Sequence, residues 1–525
     1  MERIDDPHVL IPDILASHAA FHPRREAVVC GAVRRSWGEF GAGIDRVARA
    51  LQARGVGRGD KVAVMMGNSV EMLEIIFGVV RAGACVVPLS GMLTGAQLAT
   101  LLDDSEAVLA FATADFRARL EPERGRLAGI RPGAWIAVFG DEPGWTGFDA
   151  FLAGGEASTD PLPVCTPADA FNIIYSSGTT GLPKGIVQTH RARTHWAFSN
   201  AIEMGFTDRS RALTTTSLYS NGTWLMMLPA LFAGSTCVVM PAFDPAGFLE
   251  HVARERISHA FMVPSQYGAV LGSPALDSAD TSSLQVLLCA GSPLRRETKR
   301  EVIRRFGERL YELYGFSEGF ASMLKPHHDP AKFDTVGTPV LGFEVRILDD
   351  AGRALPRGEV GEIAAYGAGM MKEYHRRPER TAELIWRDER GRSFIRSGDI
   401  GRLDEDGFIV LLDRKKDMVI SGGFNVFPAD IEQVLAGHPA VLDVTVIGIP
   451  HPKWGETPLA LVVRREGVTA DADEIAAWAN ERLARHQRVA RVEFRDEFPR
   501  NALGKVLKRL LREPYWNRQA QNPEG

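Results

Sequence analysis

The stretch Tyr175-Ser-Ser-Gly-Thr-Thr-Gly-Leu-Pro-Lys-Gly185 lies between two short apolar runs, residues 171–174 and 185–187. Small residues allow a backbone to curl closely around an anion, so that its N–H groups point inward. The hydroxyl groups add hydrogen-bond donors, and Lys184 adds a compact positive charge. The ordered combination of hydroxyls, glycines, proline and lysine favours a phosphate-binding loop over a flexible hairpin of the same composition.

Two common nucleotide-binding motifs do not fit this chain. A Walker A loop has Gly-Lys-Ser/Thr in immediate succession and opens a helix. Here Lys184 follows a proline, precedes a glycine and leads into an apolar strand. A dinucleotide-binding fingerprint is also missing, because Gly41-Ala-Gly43 has Arg46 where the third glycine belongs.

The composition is that of a folded protein with more than one domain. The chain has 525 residues, of which 45% are hydrophobic and 24% charged, and its formal net charge is -5. No basic surplus indicates a nucleic-acid partner. The five cysteines are scattered without a C-x-x-C pair, which is typical of reduced thiols. We expect a cytoplasmic protein, since neither a signal peptide nor a membrane span is apparent.

Hydrophobic periodicity predicts an α/β fold. Residues 39–54 and 71–82 have helical spacing, and they alternate with apolar strands at 61–66 and 85–89. A further strand is expected at 284–289 and a charged helix at 294–306. After residue 335 the pattern becomes β-rich, with short strands at 344–348, 361–365 and 408–412. The C-terminal part predicts a small α+β domain, with helices at 428–436 and 472–485 and strands at 441–449, 459–463 and near Val492.

The loop at 175–185 resembles the phosphate-binding loop of the acyl-adenylate-forming superfamily. That family contains acyl-CoA synthetases, peptide-synthetase adenylation domains and beetle luciferases. Further segments resemble its other motifs in the same order along the chain: Tyr314-Gly-Phe-Ser-Glu318, Ser397-Gly-Asp399, Asp413-Arg-Lys-Lys-Asp417, Ser421-Gly-Gly-Phe-Asn425 and Pro499-Arg-Asn-Ala-Leu-Gly-Lys505. The resemblance therefore covers nearly the whole sequence.

The resemblance implies a domain organisation. Residues 1–413 would form an AMP-binding region of several subdomains, with mixed sheets and a β-rich part. Residues 414–416 would be a hinge, with Lys416 at the hinge position, and residues 417–525 a small mobile α+β lid. In the family the lid takes two orientations, one for adenylation and one for thioester formation. Such a rotation is absorbed by a few residues at an element boundary.

The resemblance also implies a site for ATP and Mg2+. Lys505 would be the adenylation lysine, and Thr179 with Glu318 would hold Mg2+, a hard cation that prefers oxygen ligands. The phosphates would be wrapped by Ser176, Ser177, Gly178, Thr179, Thr180, Gly181 and Lys184. The remainder of the nucleotide would be bound by Gly291, Ser292, Pro293, Tyr314, Gly315, Phe316, Ser317, Asp399 and Arg414. Asp399 is suited to accept hydrogen bonds from ribose hydroxyls.

Two further segments are assigned by the same resemblance. Gly422 and Gly423 would let the arm of coenzyme A pass close to the backbone, because they carry no side chain. The acid pocket would be lined by Tyr219, Ser220, Asn221 and Gly222. Ser220 stands where many acyl-CoA synthetases have a histidine, which suggests additional room. Trp224, Met226, Met227 and Phe198 are further candidates for the pocket lining, but their helical spacing is more typical of a hydrophobic core.

The activity implied by the resemblance is that of an AMP-forming acid–CoA ligase. It would convert a carboxylic acid, ATP and coenzyme A into an acyl-CoA, AMP and pyrophosphate. We expect a fatty, or a bulky cyclic or aromatic, monocarboxylic acid, since the pocket segment carries no cation aimed at a second carboxylate. One alternative is an enzyme that loads a carrier protein, and another is a nucleotide-binding regulator without catalysis. A homodimer is among the oligomeric states that the sequence leaves open.

Overall fold

The computed structural model describes residues 8–158, 160–176, 183–422, 424–468, 470–500 and 504–521. The chain forms two compact units. The first unit consists of Met1–Pro330, Pro339–Glu344 and Tyr366–Ile385, and the second of Ala331–Thr338, Val345–Ala365 and Trp386–Gly525. The segment 414–416, predicted to be a hinge, therefore lies inside the second unit, and its hinge role stays a prediction.

The part of the chain before residue 330 alternates helices with short strands. Its elements are α1 (Ile11–Phe21), β1 (Glu26–Cys30), β2 (Val33–Ser36), α2 (Trp37–Gln52), β3 (Lys61–Met65), α3 (Val70–Arg81), β4 (Cys85–Pro88), α4 (Gly95–Asp104), β5 (Ala107–Ala112), α5 (Ala114–Leu120), β6 (Trp135–Ala137), β7 (Thr146–Gly147), α6 (Phe148–Ala153), β8 (Ala170–Ser176), β9 (Lys184–Thr189), α7 (His190–Glu203), β10 (Arg211–Thr214), α8 (Asn221–Phe232), β11 (Thr236–Val239), α9 (Pro245–Glu255), β12 (His259–Met262), α10 (Pro264–Leu271), β13 (Val286–Cys289), α11 (Arg296–Phe306), β14 (Leu310–Gly315) and β15 (Ala321–Leu324).

The remaining chain is richer in strands. Its elements are β16 (Thr338–Pro339), β17 (Phe343–Leu348), β18 (Gly361–Gly367), β19 (Glu373–Tyr374), α12 (Pro378–Glu383), β20 (Ile385–Arg387), β21 (Ser393–Leu403), β22 (Ile409–Arg414), β23 (Val419–Ser421), β24 (Phe424–Val426), α13 (Pro428–Ala436), β25 (Val441–His451), β26 (Gly455–Arg464), α14 (Ala472–Asn480), β27 (Arg491–Phe494) and α15 (Lys508–Gln521).

The first unit contains two large mixed sheets. One sheet runs in the order β15-β14-β13-β12-β10-β11-β1-β2, and the other runs β19-β9-β8-β4-β3-β5-β6-β7. Central strands such as β13 and β4 are buried along their whole length. Parallel strands covered on both faces are expected to be continuously apolar rather than alternating. The predicted α/β class is therefore confirmed.

Helix α2 shows how local sequence sets an element boundary. The Ser36 hydroxyl accepts a hydrogen bond from the Glu39 N–H at 3.3 Å, and the Glu39 carboxylate accepts one from the Ser36 N–H at 2.8 Å. This capping box satisfies two N–H groups that a helix start leaves without partners. The helix therefore begins at Trp37, two residues before the predicted start.

The predicted helix 472–485 was too long. Helix α14 ends at Asn480, and residues 485–487 form a short 3-10 turn instead. The Asn480 side chain explains the end, because its amide donates to the Val489 carbonyl at 3.1 Å and accepts from the Val489 N–H at 2.9 Å. These two bonds turn the chain back towards strand β27.

The second unit contains the two remaining sheets. One runs β17-β18-β21-β20, with β22 paired to β21, and the other runs β24-β23-β26-β25, with β27 paired to β26. Helix α13, predicted at 428–436, occupies those residues. Its buried residues Ile431 and Leu435 pack with the strands of the second sheet in one hydrophobic cluster. The predicted α+β character of the C-terminal part is confirmed. No helix in the described ranges is long and apolar enough to cross a membrane.

The surroundings of two helical glycines predict that exchange for alanine changes the free energy of unfolding in opposite directions. A Cβ on Gly78 of α3 would lie 2.5 Å from the Val47 side chain and 3.1 Å from the Ile44 carbonyl oxygen, whereas a Cβ on Gly268 of α10 would meet nothing within 4 Å. Gly78→Ala should lower the free energy of unfolding by about 1 to 3 kcal/mol, because α2 must shift. Gly268→Ala should raise it by about 0.5 to 1 kcal/mol.

The midpoints of chemical and thermal unfolding measure both effects on the purified chain. Each variant is the control of the other, since both exchange glycine for alanine inside a helix. Equal shifts of the same sign would contradict the close packing of α2 on α3.

Candidate active site

The hairpin formed by β8 and β9 holds the two ends of the predicted phosphate loop. Ser176, the last residue of β8, and Lys184, the first residue of β9, are opposite partners in this antiparallel pair. Their Cα atoms are therefore close neighbours across the two strands. Residues Ser177, Gly178, Thr179, Thr180 and Gly181 fall outside the described residues, and their roles stay predictions.

Tyr374 connects Lys184 with Glu318. Strand β19 pairs with β9, so that Tyr374 lies opposite Ile186. The Tyr374 hydroxyl donates a hydrogen bond to the Glu318 carboxylate, and Lys184 Nζ lies 4.8 Å from the centroid of the Tyr374 ring. Burial and the Glu318 carboxylate both raise the pKa of Tyr374, which keeps its hydroxyl a proton donor. Sequence reasoning missed this residue.

The segment Tyr314–Ser317 forms the carboxyl end of β14 and the residues directly after it. Residues 291–293 come shortly after the neighbouring parallel strand β13, at the same edge of the sheet. A Cβ on Gly315 would lie 2.3 Å from the Phe320 carbonyl oxygen, so this position requires glycine. The ring of Phe316 stacks on Phe320 with centroids 5.7 Å apart. The two predicted adenine-binding segments are thus brought to adjacent strand ends. They consist of Gly291, Ser292, Pro293, Tyr314, Gly315, Phe316 and Ser317.

The residues present fit a Mg2+ ion that arrives with phosphates. Glu318 offers a carboxylate that is partly exposed and fixed by Tyr374 and by the Met371 N–H, which donates to its main-chain oxygen at 2.6 Å. No group of three or more carboxylate, histidine or cysteine side chains suited to a metal occurs in the described part of the chain. Mg2+ commonly binds through one or two carboxylates with substrate phosphates and waters. The single carboxylate of Glu318 is therefore sufficient as a protein ligand for a Mg2+ ion that is also bound by substrate phosphates and waters.

The predicted acid-pocket segment is held by Asn68. Its amide donates to the Thr216 and Met240 carbonyls at 3.1 and 2.9 Å, and its oxygen accepts from the Leu218 N–H at 2.8 Å. Ser220 is buried directly before helix α8. The side chains that follow it differ in exposure, since the first residues of α8 are partly exposed and Trp224, Met226 and Met227 are buried. The interpretation of these last three as core residues is confirmed. It is wrong for Phe198, whose side chain lies on helix α7 and is 40% exposed.

Tyr219, Asn221 and Gly222 are half-buried around Ser220. The Trp224 indole N–H donates to the Leu218 carbonyl at 2.8 Å, and the Thr223 hydroxyl donates to the Ser217 carbonyl at 2.7 Å. These bonds fold the segment 217–224 onto the start of α8. The segment therefore has a defined shape, while the assignment of Tyr219, Ser220, Asn221 and Gly222 to an acid pocket stays a prediction.

In the second unit the structure brings Asp399, Arg414 and Lys505 together. Asp399 and Arg414 are opposite partners of β21 and β22, and Arg414 Nε lies 3.2 Å from Asp399 Oδ1. Burial and the charge of Arg414 lower the pKa of Lys505 to about 8, while Asp399 and Asp417 act in the opposite direction. The C-terminal lysine and the predicted ribose-binding pair, which are 91 to 106 residues apart in the sequence, therefore interact electrostatically.

The charged cluster 413–417 is not a simple exposed turn. Asp413 accepts a hydrogen bond from the Ala429 N–H at 3.0 Å, and burial raises the pKa of its carboxyl group. Lys416 is exposed, but its carbonyl accepts from the Arg512 guanidinium at 3.1 Å. The end of β22 is thus hydrogen-bonded to α13 through Asp413. The predicted hinge residue, Lys416, follows this strand end and is hydrogen-bonded to α15 through its carbonyl group.

Of the two glycines predicted to lie beside coenzyme A, the structure describes Gly422. Its φ is +59°, and a Cβ there would lie 3.2 Å from Trp454 Cε3. Its N–H donates to the Trp454 carbonyl at 2.8 Å. A side chain at this position would therefore be strained and crowded. Gly423 lies outside the described residues.

Comparison with known proteins agrees with this geometry. Residues 15–375 match the family of AMP-binding enzymes, and residues 430–505 match the AMP-binding enzyme C-terminal domain. A feruloyl-CoA synthase from an Amycolatopsis species is 35% identical over 498 residues, which is 94% of this chain and 96% of that protein. An indoleacetate–CoA ligase from Aromatoleum aromaticum is 33% identical over 500 residues, with coverage of 94% and 96%.

A solved structure shows the same fold. ATP-bound MatB from Rhodopseudomonas palustris superposes with a TM-score of 0.85 at 30% sequence identity, covering 96% of this chain and 99% of that one. Both family domains are matched in order, and together they span most of the sequence. The chain therefore belongs to the family of AMP-binding enzymes, in its acyl-adenylate-forming carboxylic acid–CoA ligase branch.

Proposed function

We propose that this chain adenylates a fatty, or a bulky cyclic or aromatic, monocarboxylic acid and transfers the acyl group to coenzyme A. As a member of its branch it is an AMP-forming acid–thiol ligase that uses ATP, Mg2+ and coenzyme A. The observation that carries the proposal is the group formed by Asp399, Arg414 and Lys505. It combines a carboxylate suited to ribose hydroxyls with two cations suited to a charged transition state.

The residues of the first unit would bind the phosphates of ATP. Lys184 brings a positive charge to the end of the phosphate loop, and Glu318 would hold Mg2+ with the hydroxyl of Thr179. Mg2+ supplies positive charge to the phosphate oxygens when it is bound. Tyr374 keeps the Glu318 carboxylate in place through its hydrogen bond, and its ring lies beside Lys184. Tyr374 is thus a positioning residue for both groups.

Lys505 would act on the adenylation step itself. Attack of a carboxylate on the α-phosphate brings two anionic groups together, so that catalysis depends on cations placed where charge develops. A partly buried ammonium group acts more strongly than one in water, because the local dielectric constant is lower. Asp399 would orient the ribose and Arg414 would add donors beside it. Gly422 would let the thiol arm of coenzyme A approach for the second step.

The acid class rests on the pocket segment and on the relatives. Ser220 and Gly222 are small, which leaves room for a bulky acyl group next to helix α8. The two relatives named above are called feruloyl-CoA synthase and indoleacetate–CoA ligase, and both names denote acids with aromatic rings. We therefore favour aromatic acids within the proposed class.

Pyrophosphate release from ATP, measured across a panel of carboxylic acids with and without coenzyme A, tests the proposed reaction. Acid-dependent release should occur, with acyl-CoA formed only when coenzyme A is present. Lys505→Ala should reduce the adenylation rate at least about 100-fold, because it removes a cation from the developing charge. Release without acyl-CoA would instead favour a carrier-protein acceptor. ATP binding without release for any acid would favour a regulator.

The pH dependence of pyrophosphate release tests the role of Lys505. Its pKa of about 8 means that the ammonium form dominates below that pH and is lost as the pH rises through it. The rate should therefore be highest below about pH 8 and should fall about tenfold per pH unit well above it. In Lys505→Arg the guanidinium does not lose its proton in this range. An alkaline decline that persists unchanged in Lys505→Arg would contradict the assignment.

Removal of the Tyr374 hydroxyl tests its positioning role. Tyr374→Phe should raise the apparent KM for MgATP about 10-fold or more, because a hydrogen bond to a charged carboxylate is lost. The matched control is Tyr267→Phe, which deletes a buried hydroxyl with no partner among the described residues. The apparent KM of each variant is measured by varying the MgATP concentration at a saturating concentration of the acid. An equal KM for the two variants would contradict the role of Tyr374.

A further inference from the structure

Arg193 is a buried cation whose hydrogen-bond partners are neutral. It lies in helix α7 and is only 3% exposed. Its Nε donates to Asn172 Oδ1 at 2.7 Å, and one of its terminal nitrogens donates to Asn221 Oδ1 at 2.8 Å. Its guanidinium also lies 4.7 Å from the centroid of the Trp224 ring. Two side-chain amides and one aromatic ring therefore hold the Arg193 guanidinium group in a defined orientation.

No carboxylate balances this charge within the part of the chain that the structure describes, since Arg193 forms no ion pair there. Burial lowers the pKa of its guanidinium to about 9. A buried charge is costly unless an opposite charge or several good acceptors accompany it. The region around Arg193 therefore has a positive potential that favours an electron-rich group.

Asn221 connects this positive region with the predicted acid-pocket segment, to which it belongs. Since its Oδ1 accepts from Arg193, its Nδ2 is the donating end that points away from that bond. This Nδ2 has no hydrogen-bond partner among the described residues, and the side chain is half-buried. Asn221 is also the first residue of α8, whose N-cap Ser220 makes no side-chain capping bond. The positive end of the α8 dipole lies at the same place.

On the side of Arg193 that contacts Asn172, two further polar atoms have no hydrogen-bond partner among the described residues. Asn172 is fully buried, yet its Nδ2 has no partner in the described chain, and the same holds for Gln188 Oε1. These two residues are opposite partners of β8 and β9. The Gln188 amide donates to the Ser317 carbonyl at 3.3 Å. Buried polar groups are nearly always satisfied, so these two atoms, although inaccessible themselves, add to the polar character of the surroundings of Arg193.

We propose that Asn221 recognises an oxygen substituent on the acid substrate, at a distance from the carboxylate that is adenylated, and that Arg193 is its positioning residue. The proposed class of monocarboxylic acids is thereby narrowed to acids that carry a hydroxyl, ether or oxo oxygen. This inference rests on the proposed function, because it assigns a feature of the acid that the same site binds. It disfavours unsubstituted hydrocarbon acids within the proposed class.

The physical reason is the unpaired donor. An oxygen acceptor placed at Asn221 Nδ2 completes a charge-assisted chain that runs from Arg193 through the Asn221 amide to the substrate. A hydrocarbon group at the same place would leave the donor buried without a partner. Sites built to hydrogen-bond a substrate group reject analogues that lack it far more strongly than apolar pockets reject an altered methylene.

The test compares matched acids in the pyrophosphate-release assay. The acids are phenylpropenoic acid and its meta- and para-hydroxy and methoxy derivatives, each with ATP, Mg2+ and coenzyme A. For the wild-type chain we expect kcat/KM for the preferred oxygenated acid to exceed that for the unsubstituted acid about 10-fold or more. This ratio needs no variant, and a ratio near one would overturn the inference.

Variants locate the source of the preference. Asn221→Asp keeps the shape but replaces the donating Nδ2 by a carboxylate oxygen. It should bring the ratio close to one for the methoxy acids, whose ether oxygen can only accept a hydrogen bond. Asn221→Leu removes the amide and should bring the ratio close to one for every oxygenated acid. Arg193→Met should lower the ratio, with partial recovery in Arg193→Lys. Ser199→Ala is the matched control, because it deletes a buried hydroxyl of α7 that has no partner among the described residues.

The readout separates positioning from general damage, since a purely structural loss lowers kcat/KM for all acids without changing their ratio. Thermal unfolding checks that each variant is folded. A preference retained in both Asn221 variants would overturn the assignment to Asn221. Absence of acid-dependent pyrophosphate release from the wild-type chain would refute the proposed function itself, whereas release without a preference for oxygenated acids would refute only this inference.

Discussion

Strand β9 is hydrogen-bonded to β8 on one side and to β19 on the other, and the site of the first unit depends on this double pairing. The register with β8 sets Lys184 opposite Ser176, and the register with β19 sets Tyr374 opposite Ile186. A shift by one residue would send every side chain of the strand to the opposite face. The position of Lys184 and Tyr374 with respect to Glu318 is therefore fixed by backbone hydrogen bonds rather than by the side chains themselves.

Each of the two units contains one desolvated cation, and the two cations are stabilised in different ways. Lys505 has carboxylates nearby, since Asp399 and Asp417 partly offset the effects of burial and of Arg414 on its pKa. Arg193 has neutral amide oxygens and an aromatic ring instead. In both places burial lowers the pKa of the cation, because an apolar environment disfavours the charged form. A cation in such an environment interacts strongly with an anionic or electron-rich group placed beside it, because the local dielectric constant is lower than in water.

Much of the fold could be predicted because its signals are local. Helix α13 has the predicted bounds, and the strands that flank the predicted phosphate loop were found from their short apolar runs. Element ends were less predictable. Helix α2 begins earlier because Ser36 and Glu39 form a capping box, and α14 ends earlier because Asn480 bonds to the backbone of Val489. The capping box is a local motif that can be found in the sequence, whereas the end of α14 depends on a contact between Asn480 and a residue nine positions further along the chain.

The family, the α/β class and the residue types of the candidate site could be predicted from the amino-acid sequence, because loops that bind phosphates and ribose need particular side chains at short spacings. The distant residues that join them could be identified only in the folded chain. Tyr374 lies 56 residues from Glu318, and Arg193 reaches both Asn172 and Asn221 across separate elements. Strand pairing and helix packing create such contacts, and no periodicity or local motif encodes them. For that reason the buried charge of Arg193, and the donor it leaves on Asn221, became visible only in the folded chain.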